Sequence, residues 1–188
     1  IRNHRVTELS VKRLRSGNIR ERTVYPLKIY ASTQTGRQYL LCYAYQVRHL
    51  VFIRVDTIRK VVPGNVEKKH EVYAGYFNKF RDHLWGVSVG PGYSMDHIEM
   101  TIRVDEGEGH IPQRLEREKR NGRVQQIDEN TYLFSADVYD AAEMLPWLRT
   151  FIGRIIKLEC SNQSVVDTFY ADLDAMIRMY GGDDDAVQ

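Results

Sequence analysis

The stretch Arg37–Ile58, RQYLLCYAYQVRHLVFIRVDTI, decides how the fold is read. Gln38 to Tyr45 is dense in Tyr and Leu, Leu50 to Val55 in Val, Phe and Ile, and a polar bend at Gln46 to His49 separates them. That is the pattern of two β-strands joined in a hairpin, sized for a small barrel. Side chains alternate across a strand, so Tyr39, Leu41, Tyr43 and Tyr45 share one face while Leu40, Cys42 and Ala44 share the other. The first face is aromatic and can be wet; the second is small and can be core.

Working outward, Val6 to Arg15 reads as a first strand, Ser16-Gly17-Asn18 as a turn, and Ile19 to Tyr30 as a second strand. Pro26 has no N–H to give a ladder and is expected at an edge or bend. Thr35-Gly36 turns into the central hairpin, and Asp56 to Val62 is expected to close the barrel before Pro63-Gly64-Asn65 breaks the chain. Residues 66 to 92 read as a connection with a one-sided stripe of Tyr73, Tyr76, Phe77, Phe80 and Leu84, which fits one or two short helical turns. The stripe is expected to pack, with a ligand platform as the alternative. Gly90-Pro91-Gly92 stops it.

The remainder alternates between the two periods. Strands are expected at His97 to Val104, across Arg123 to Val138 with a turn near Asp128 to Asn130, and at Arg154 to Cys160. Helices are expected at Pro112 to Asn121 and Ala141 to Phe151, followed by a last helix with Val166, Phe169, Tyr170, Leu173, Ile177 and Tyr180 on one stripe. Asp140 with Glu143 three residues on forms a capping box, and Gly153 stands where a C-terminal glycine belongs. Gly181-Gly182 ends the last helix, and Asp183 to Asp185 form an acidic tail. The fold class is α+β: a small Sm/SH3-like β-barrel over residues 1–64, a connection over 65–92, and a ferredoxin-like βαββαβ domain with one added helix over 93–188.

Charge is unevenly spread. Residues 1 to 70 hold 15 Lys and Arg against 4 Asp and Glu, and residues 71 to 188 hold 12 against 21, so a net of +11 meets a net of −9 in a chain whose sum is only +2. A basic half suits a polyanionic partner; attraction between the halves, or a solvated cationic face, is the alternative. Hydrophobic residues at 43% and charged residues at 28% exclude a disordered chain. No apolar run approaches the length needed to span a bilayer, no signal peptide is present, and a cytoplasmic location is expected. Cys42 and Cys160 lie far apart in strand-like runs and are expected to be buried free thiols. The chain opens on Ile1, and a further segment in front of it is expected.

Gly86-Val87-Ser88-Val89-Gly90 spells the nucleophile elbow, but that motif needs a strand before the Ser and a helix starting at it, which Pro91-Gly92 forbids. The six histidines show no metal-ligand spacing, and no phosphate-binding glycine loop appears, so no enzyme, metal or cofactor is expected. What stands out is Arg interleaved with Tyr: Arg37, Tyr39, Tyr43, Tyr45, Arg48, His49, Arg54 and Arg59. Guanidinium groups grip phosphates and aromatic faces accept bases, a mixture suited to a single-stranded nucleic acid or a nucleotide. Asp56, two residues from Arg54, offers the plainer alternative of an ion pair.

Gln38-Tyr39-Leu40 followed by Ile53-Arg54-Val55-Asp56-Thr57-Ile58 resembles the two signature stretches of the WYL domain, the Sm-like barrel that serves as a sensing domain in many bacterial transcription regulators. Gln38 stands where that family has Trp, and Pro26 falls where it has a Pro. Trp85 to Ser88, Arg114 to Arg120, Pro146 to Phe151 and Tyr180 to Gly182 resemble the C-terminal extension that follows such barrels. The resemblance implies a site at Tyr39 and Arg54, with Arg48 and His49 less directly matched; Leu50-Val51-Phe52 replaces an expected Arg. The site residues expected are therefore Tyr39, Arg54, Arg48, His49, Arg37 and Tyr43. The function implied is the effector-sensing, dimerising part of a regulator whose DNA-binding domain lies outside this sequence. An RNA- or single-strand-binding accessory protein of a CRISPR or phage-defence system is the alternative.

Overall fold

The computed structural model describes residues 1–14, 16–32 and 35–181; Arg15, Gly182 and the acidic run Asp183 to Asp185 lie outside the described residues. The fold is mixed α+β, with two antiparallel sheets, four α-helices and several 3-10 turns. The chain divides into two units, Ile1–Ser94 and Met95–Gln188.

The first unit is a five-stranded sheet built from β1 (Arg5–Lys12), β2 (Ile19–Ala31), β3 (Gln38–Ala44), β4 (His49–Arg54) and β5 (Ile58–Val66), in the order β4-β3-β2-β1-β5. Its thirteen-residue β2 serves two neighbours: Ile19 to Val24 pair with β1, and Val24 to Ala31 pair with β3. The hand-over is at Val24, and a bulge follows between Pro26 and Lys28. The proline stands where β1 pairing has ended, so its missing N–H is not asked for, and the bulge bends the strand. The inward face carries Leu9, Val24, Leu40, Cys42, Ala44, Val51 and Ile53, which matches the alternation read from β3.

The outward face of β3 is covered over most of its length, with Leu41 fully buried and Tyr39 and Tyr43 half-buried. Helix α1 (His70–Arg81) lies over it. The Tyr43 ring is 4.5 Å from Tyr73, Tyr25 is 5.1 Å from Tyr73, and Phe52 is 6.4 Å from Phe80. Burying six-membered rings on both partners stabilises more than solvating them, so the aromatic stripe packs. The helix has twelve residues, not one or two turns. Residues 65–92 thus begin inside β5, which runs through Pro63-Gly64-Asn65 to Val66, and contribute α1 to the first unit. Strand β5 lies at the sheet's edge, where proline costs no ladder bond on its free side.

The second unit orders its strands β7-β8-β6-β9, from β6 (Asp96–Arg103), β7 (Arg123–Gln126), β8 (Thr131–Val138) and β9 (Ile155–Cys160). Helix α2 (His110–Glu118) connects β6 to β7. Between β8 and β9, the expected single helix is three consecutive turns: a 3-10 turn at Ala141–Met144, α3 (Leu145–Leu148) and a 3-10 turn at Arg149–Phe151. Pro146 explains the break, because it cannot donate to a continuous ladder of helical bonds. The Asp140 side chain accepts from Ala142 N–H, the cap the sequence suggested. The core is Ile98, Met100 and Ile102 of β6 with Phe134, Leu115, Leu148 and Phe151. In α4 (Gln163–Tyr180), only Val165, Val166 and Phe169 are buried, and the stripe beyond them is exposed at Ile177 and Tyr180. Cys42 is buried; Cys160 is only half-buried. Among the described residues, no helix is long and apolar enough to cross a membrane.

Candidate nucleic-acid interface

The β3–β4 hairpin carries five of the six expected site residues, with Arg37 just before it, and they sort to its two ends. In register, Tyr39 faces Arg54 at the open end and Ala44 faces His49 at the turn. Tyr39 and Tyr43 are four residues apart, about 13 Å along a strand.

At the turn end the residues are largely committed to packing. The Tyr43 ring lies edge-on to Tyr45 at 5.5 Å and over Tyr76 at 6.3 Å, besides its contact with Tyr73. Burial and its tyrosine neighbours raise its pKa. The Tyr45 hydroxyl donates to the Glu67 carboxylate and sits 3.4 Å from the Tyr73 hydroxyl, so a half-buried phenol network backs this face. His49 stacks on Tyr93 at 4.3 Å, meets Phe80 edge-on at 5.9 Å, and its Nδ1 donates to the Leu50 carbonyl at 2.8 Å. Arg48 is exposed at the turn, where its N–H donates to the Ala44 carbonyl and its backbone takes φ 54°.

The open end is different. Arg54 ends β4 and donates to Asp56 through Nε at 3.1 Å and through its terminal nitrogen. Asp56 sits in the 3-10 turn Val55–Thr57, which the Thr57 hydroxyl pins by donating to the Arg54 carbonyl at 2.6 Å. The hydrogen bond from Arg54 holds the Asp56 carboxyl below the usual carboxylate range, helped by the nearby charges of Arg37 and Arg59. Arg54 therefore grips an exposed carboxylate that also feels the charges of Arg37 and Arg59. Arg37, in the loop before β3, and Arg59, on β5, have no carboxylate salt bridge of their own among the described residues. Tyr39 is half-buried beside them, with no ring stacked on it among the described residues.

The sequence thus placed Arg37, Tyr39 and Arg54 together, while Tyr43 and His49 belong to the packing under α1. Sequence reasoning missed the inward-facing Arg22, although a signal existed: Arg20, Arg22 and Val24 alternate onto one face of β2, and Val24 is fully buried. An arginine on a core-facing position is out of place unless it meets a partner. Ser88 of the elbow-like motif lies in an irregular segment, its hydroxyl accepting from Gly90 N–H at 3.3 Å; neither a strand nor a helix flanks it. No group of metal ligands is found among the described residues.

No family model matches the chain, and no curated protein matches it. Among solved structures, it is similar to proteasome accessory factor B/C (PafBC) of Arthrobacter aurescens, at 17% identity and a TM-score of 0.46, over 97% of this chain and 26% of that one. It is also similar to a CRISPR Cas-related protein, at 14% identity and a TM-score of 0.58, over 95% of this chain and 49% of that one. The chain spans about a quarter and about half of the lengths of these proteins, and the second likeness shows a shared fold across nearly all of it.

Proposed function

We propose that this chain is the effector-sensing part of a bacterial transcription regulator of the WYL type, and that the open end of the β3–β4 hairpin binds single-stranded nucleic acid or a nucleotide. The observation that carries the reading is the Arg54–Asp56 pair set opposite Tyr39 in register, with the charges of Arg37 and Arg59 near enough to act on the same carboxylate. Guanidinium groups in excess of their acids are positioned for phosphates, and a tyrosine face between them accepts a base. The WYL-like signature residues Tyr39 and Arg54 stand opposite each other in register, which supports the family reading. The 3-10 turn between β4 and β5 and the meander order of the first sheet support an Sm/SH3-like barrel. The order β7-β8-β6-β9 supports a ferredoxin-like second unit. In this reading DNA is contacted by a domain outside these residues, the protein is cytoplasmic, it pairs as a homodimer, and it performs no catalysis and carries no cofactor. A second reading, a strand-binding accessory of a CRISPR or phage-defence system, is favoured by the fold likeness to a CRISPR Cas-related protein.

Titration of labelled oligonucleotides at two salt concentrations tests the site. Arg37→Ala and Arg59→Ala are expected to weaken binding and to flatten the log–log salt slope by about 0.7 per lost phosphate contact. Tyr39→Ala removes stacking worth about 1–3 kcal/mol and leaves the slope alone. Arg54→Ala weakens binding because it bares Asp56, whereas Asp56→Asn tightens it. If Asp56→Asn and Arg54→Ala both leave binding unchanged, the pair is structural and the site is elsewhere.

A further inference from the structure

The concave side of the first sheet continues beyond its core. In register Arg22 lies opposite Leu9, and it shares a face of β2 with Val24, so its side chain enters from the core side of the sheet. There a cavity of about 400 Å³ opens along the free edge of β4, walled by Val51 and Ile53, by Lys12 near the end of β1, and by Ser88 to Gly90 with Tyr93. Lys12, Arg22 and Arg54 line it, and among the described residues no carboxylate does.

Arg54 is engaged by Asp56, but Arg22 has neither an ion pair nor a hydrogen bond among the described residues. Burial and the charges of Arg20 and Arg13 lower its pKa, which is the signature of a cation that has lost water without gaining an anion. The neighbouring Cys42 thiol supplies no counter-charge, since burial pushes it up to about 12. Half-buried guanidinium groups are normally paired, because the lost hydration is otherwise not replaced. Ser88 adds a donor: its oxygen accepts from Gly90 N–H, which leaves its own proton for a ligand. The Tyr93 ring, braced by His49 at 4.3 Å, and Val89 supply an aromatic and apolar wall.

We propose that this cavity is a phosphomonoester site: the dianion is held by Arg22 and Lys12 with Ser88 donating, and its organic part lies against Tyr93 and Val89. A cavity of this size is at the low end of small-molecule pockets, about 300–1,000 Å³, so it takes one nucleotide-sized group. That group is either a free nucleoside monophosphate or the phosphorylated end of a strand. The site does not depend on strand binding at the hairpin end, since Lys12, Arg22 and Ser88 belong to the cavity alone.

The test uses the full chain at constant ionic strength, with thymidine and adenosine 5′-monophosphates, the two nucleosides, and oligothymidylates bearing either a 5′-phosphate or a 5′-hydroxyl. A monophosphate or the phosphorylated strand is expected to raise Tm and to bind by calorimetry at least about tenfold more tightly than its unphosphorylated counterpart. Arg22→Met and Lys12→Gln each cost about tenfold or more in that affinity, while Arg22→Met holds or raises the Tm of the free protein because it removes an unpaired cation. Competition by the phosphorylated strand alone identifies a strand end as the source; binding of the monophosphate alone identifies a free nucleotide. Arg37→Ala leaves monophosphate binding unchanged, so loss of strand binding with monophosphate binding intact counts only against the hairpin-end site. The inference is overturned if phosphate gives no preference with either probe, or if Arg22→Met binds the phosphorylated probe as the unaltered protein does.

Discussion

Gly122 shows how narrowly one residue can be fixed by its neighbours. A Cβ placed there would meet the Phe134 ring at 2.3 Å and the Lys119 carbonyl at 3.0 Å. Phe134 is fully buried and its ring also lies 5.0 Å from Trp147, which in turn donates from Nε1 to Glu118 at 3.0 Å. The ring therefore has nowhere to go. Gly122→Ala is expected to destabilise the second unit by about 1–3 kcal/mol through overpacking, read as a lower midpoint in chemical denaturation. An unchanged midpoint would mean that Phe134 can shift freely. Trp147 is part of this local cluster. Arg22 is the opposite case, a residue whose surroundings leave its chemistry open.

At the scale of elements, pairing explains what was legible and what was not. The strands of the β3–β4 hairpin were legible because alternation in Leu40, Cys42 and Ala44 reports a buried face directly. The cover on the other face was not, because the distance in sequence between Tyr43 and Tyr73 hides that two aromatic stripes meet. Likewise β5 runs through a Pro-Gly-Asn run that ordinarily ends a strand, since only an edge position permits it. The arginines of the hairpin end were readable as composition, but the Arg54–Asp56 pair depends on a 3-10 turn no periodicity announces. Between β6 and β8, His97 faces Asp137 in register, with Nδ1 at 2.8 Å from its carboxylate and Nε2 at 3.3 Å from Glu99. The hydrogen bond to Asp137, then that to Glu99, raises the histidine pKa above its ordinary value. A group whose folded pKa is raised contributes its full stabilisation below the unfolded value of about 6.5, and loses it as pH rises through the folded value. The cross-strand contribution is therefore expected to fade on going from mildly acidic to mildly alkaline pH. NMR titration should give His97 a pKa above that of a histidine in an unfolded peptide, and Asp137→Asn should lower it; a value unmoved by Asp137→Asn would contradict the pairing.

For the whole molecule, exposed apolar residues occur in both units, and the last helix carries one run of them. Met176, Ile177, Met179 and Tyr180 of α4 are 37% to 78% exposed, with Ile156 of β9 at 57%. A helix end that offers this much apolar surface is stabilised when a second copy covers it, and two-fold pairing is the commonest way to do so. Light scattering is expected to give twice the 22.0 kDa chain mass at tens of micromolar, and Ile177→Glu with Tyr180→Glu to return it to the monomer. A monomer at that concentration would remove dimerisation from the account. The basic first unit is the other large-scale feature, and it bears on the central claim, that the hairpin end holds a single strand. The direct test is the affinity of the unaltered protein for a labelled single strand, set against the same sequence as a duplex, across a salt series. Binding tighter than about 100 µM at low salt, preference for the single strand, and a log–log slope near −0.7 per neutralised phosphate are the predicted result. Affinity weaker than that for every strand, or a slope near zero, would contradict it and leave a small-molecule effector as the ligand of this domain.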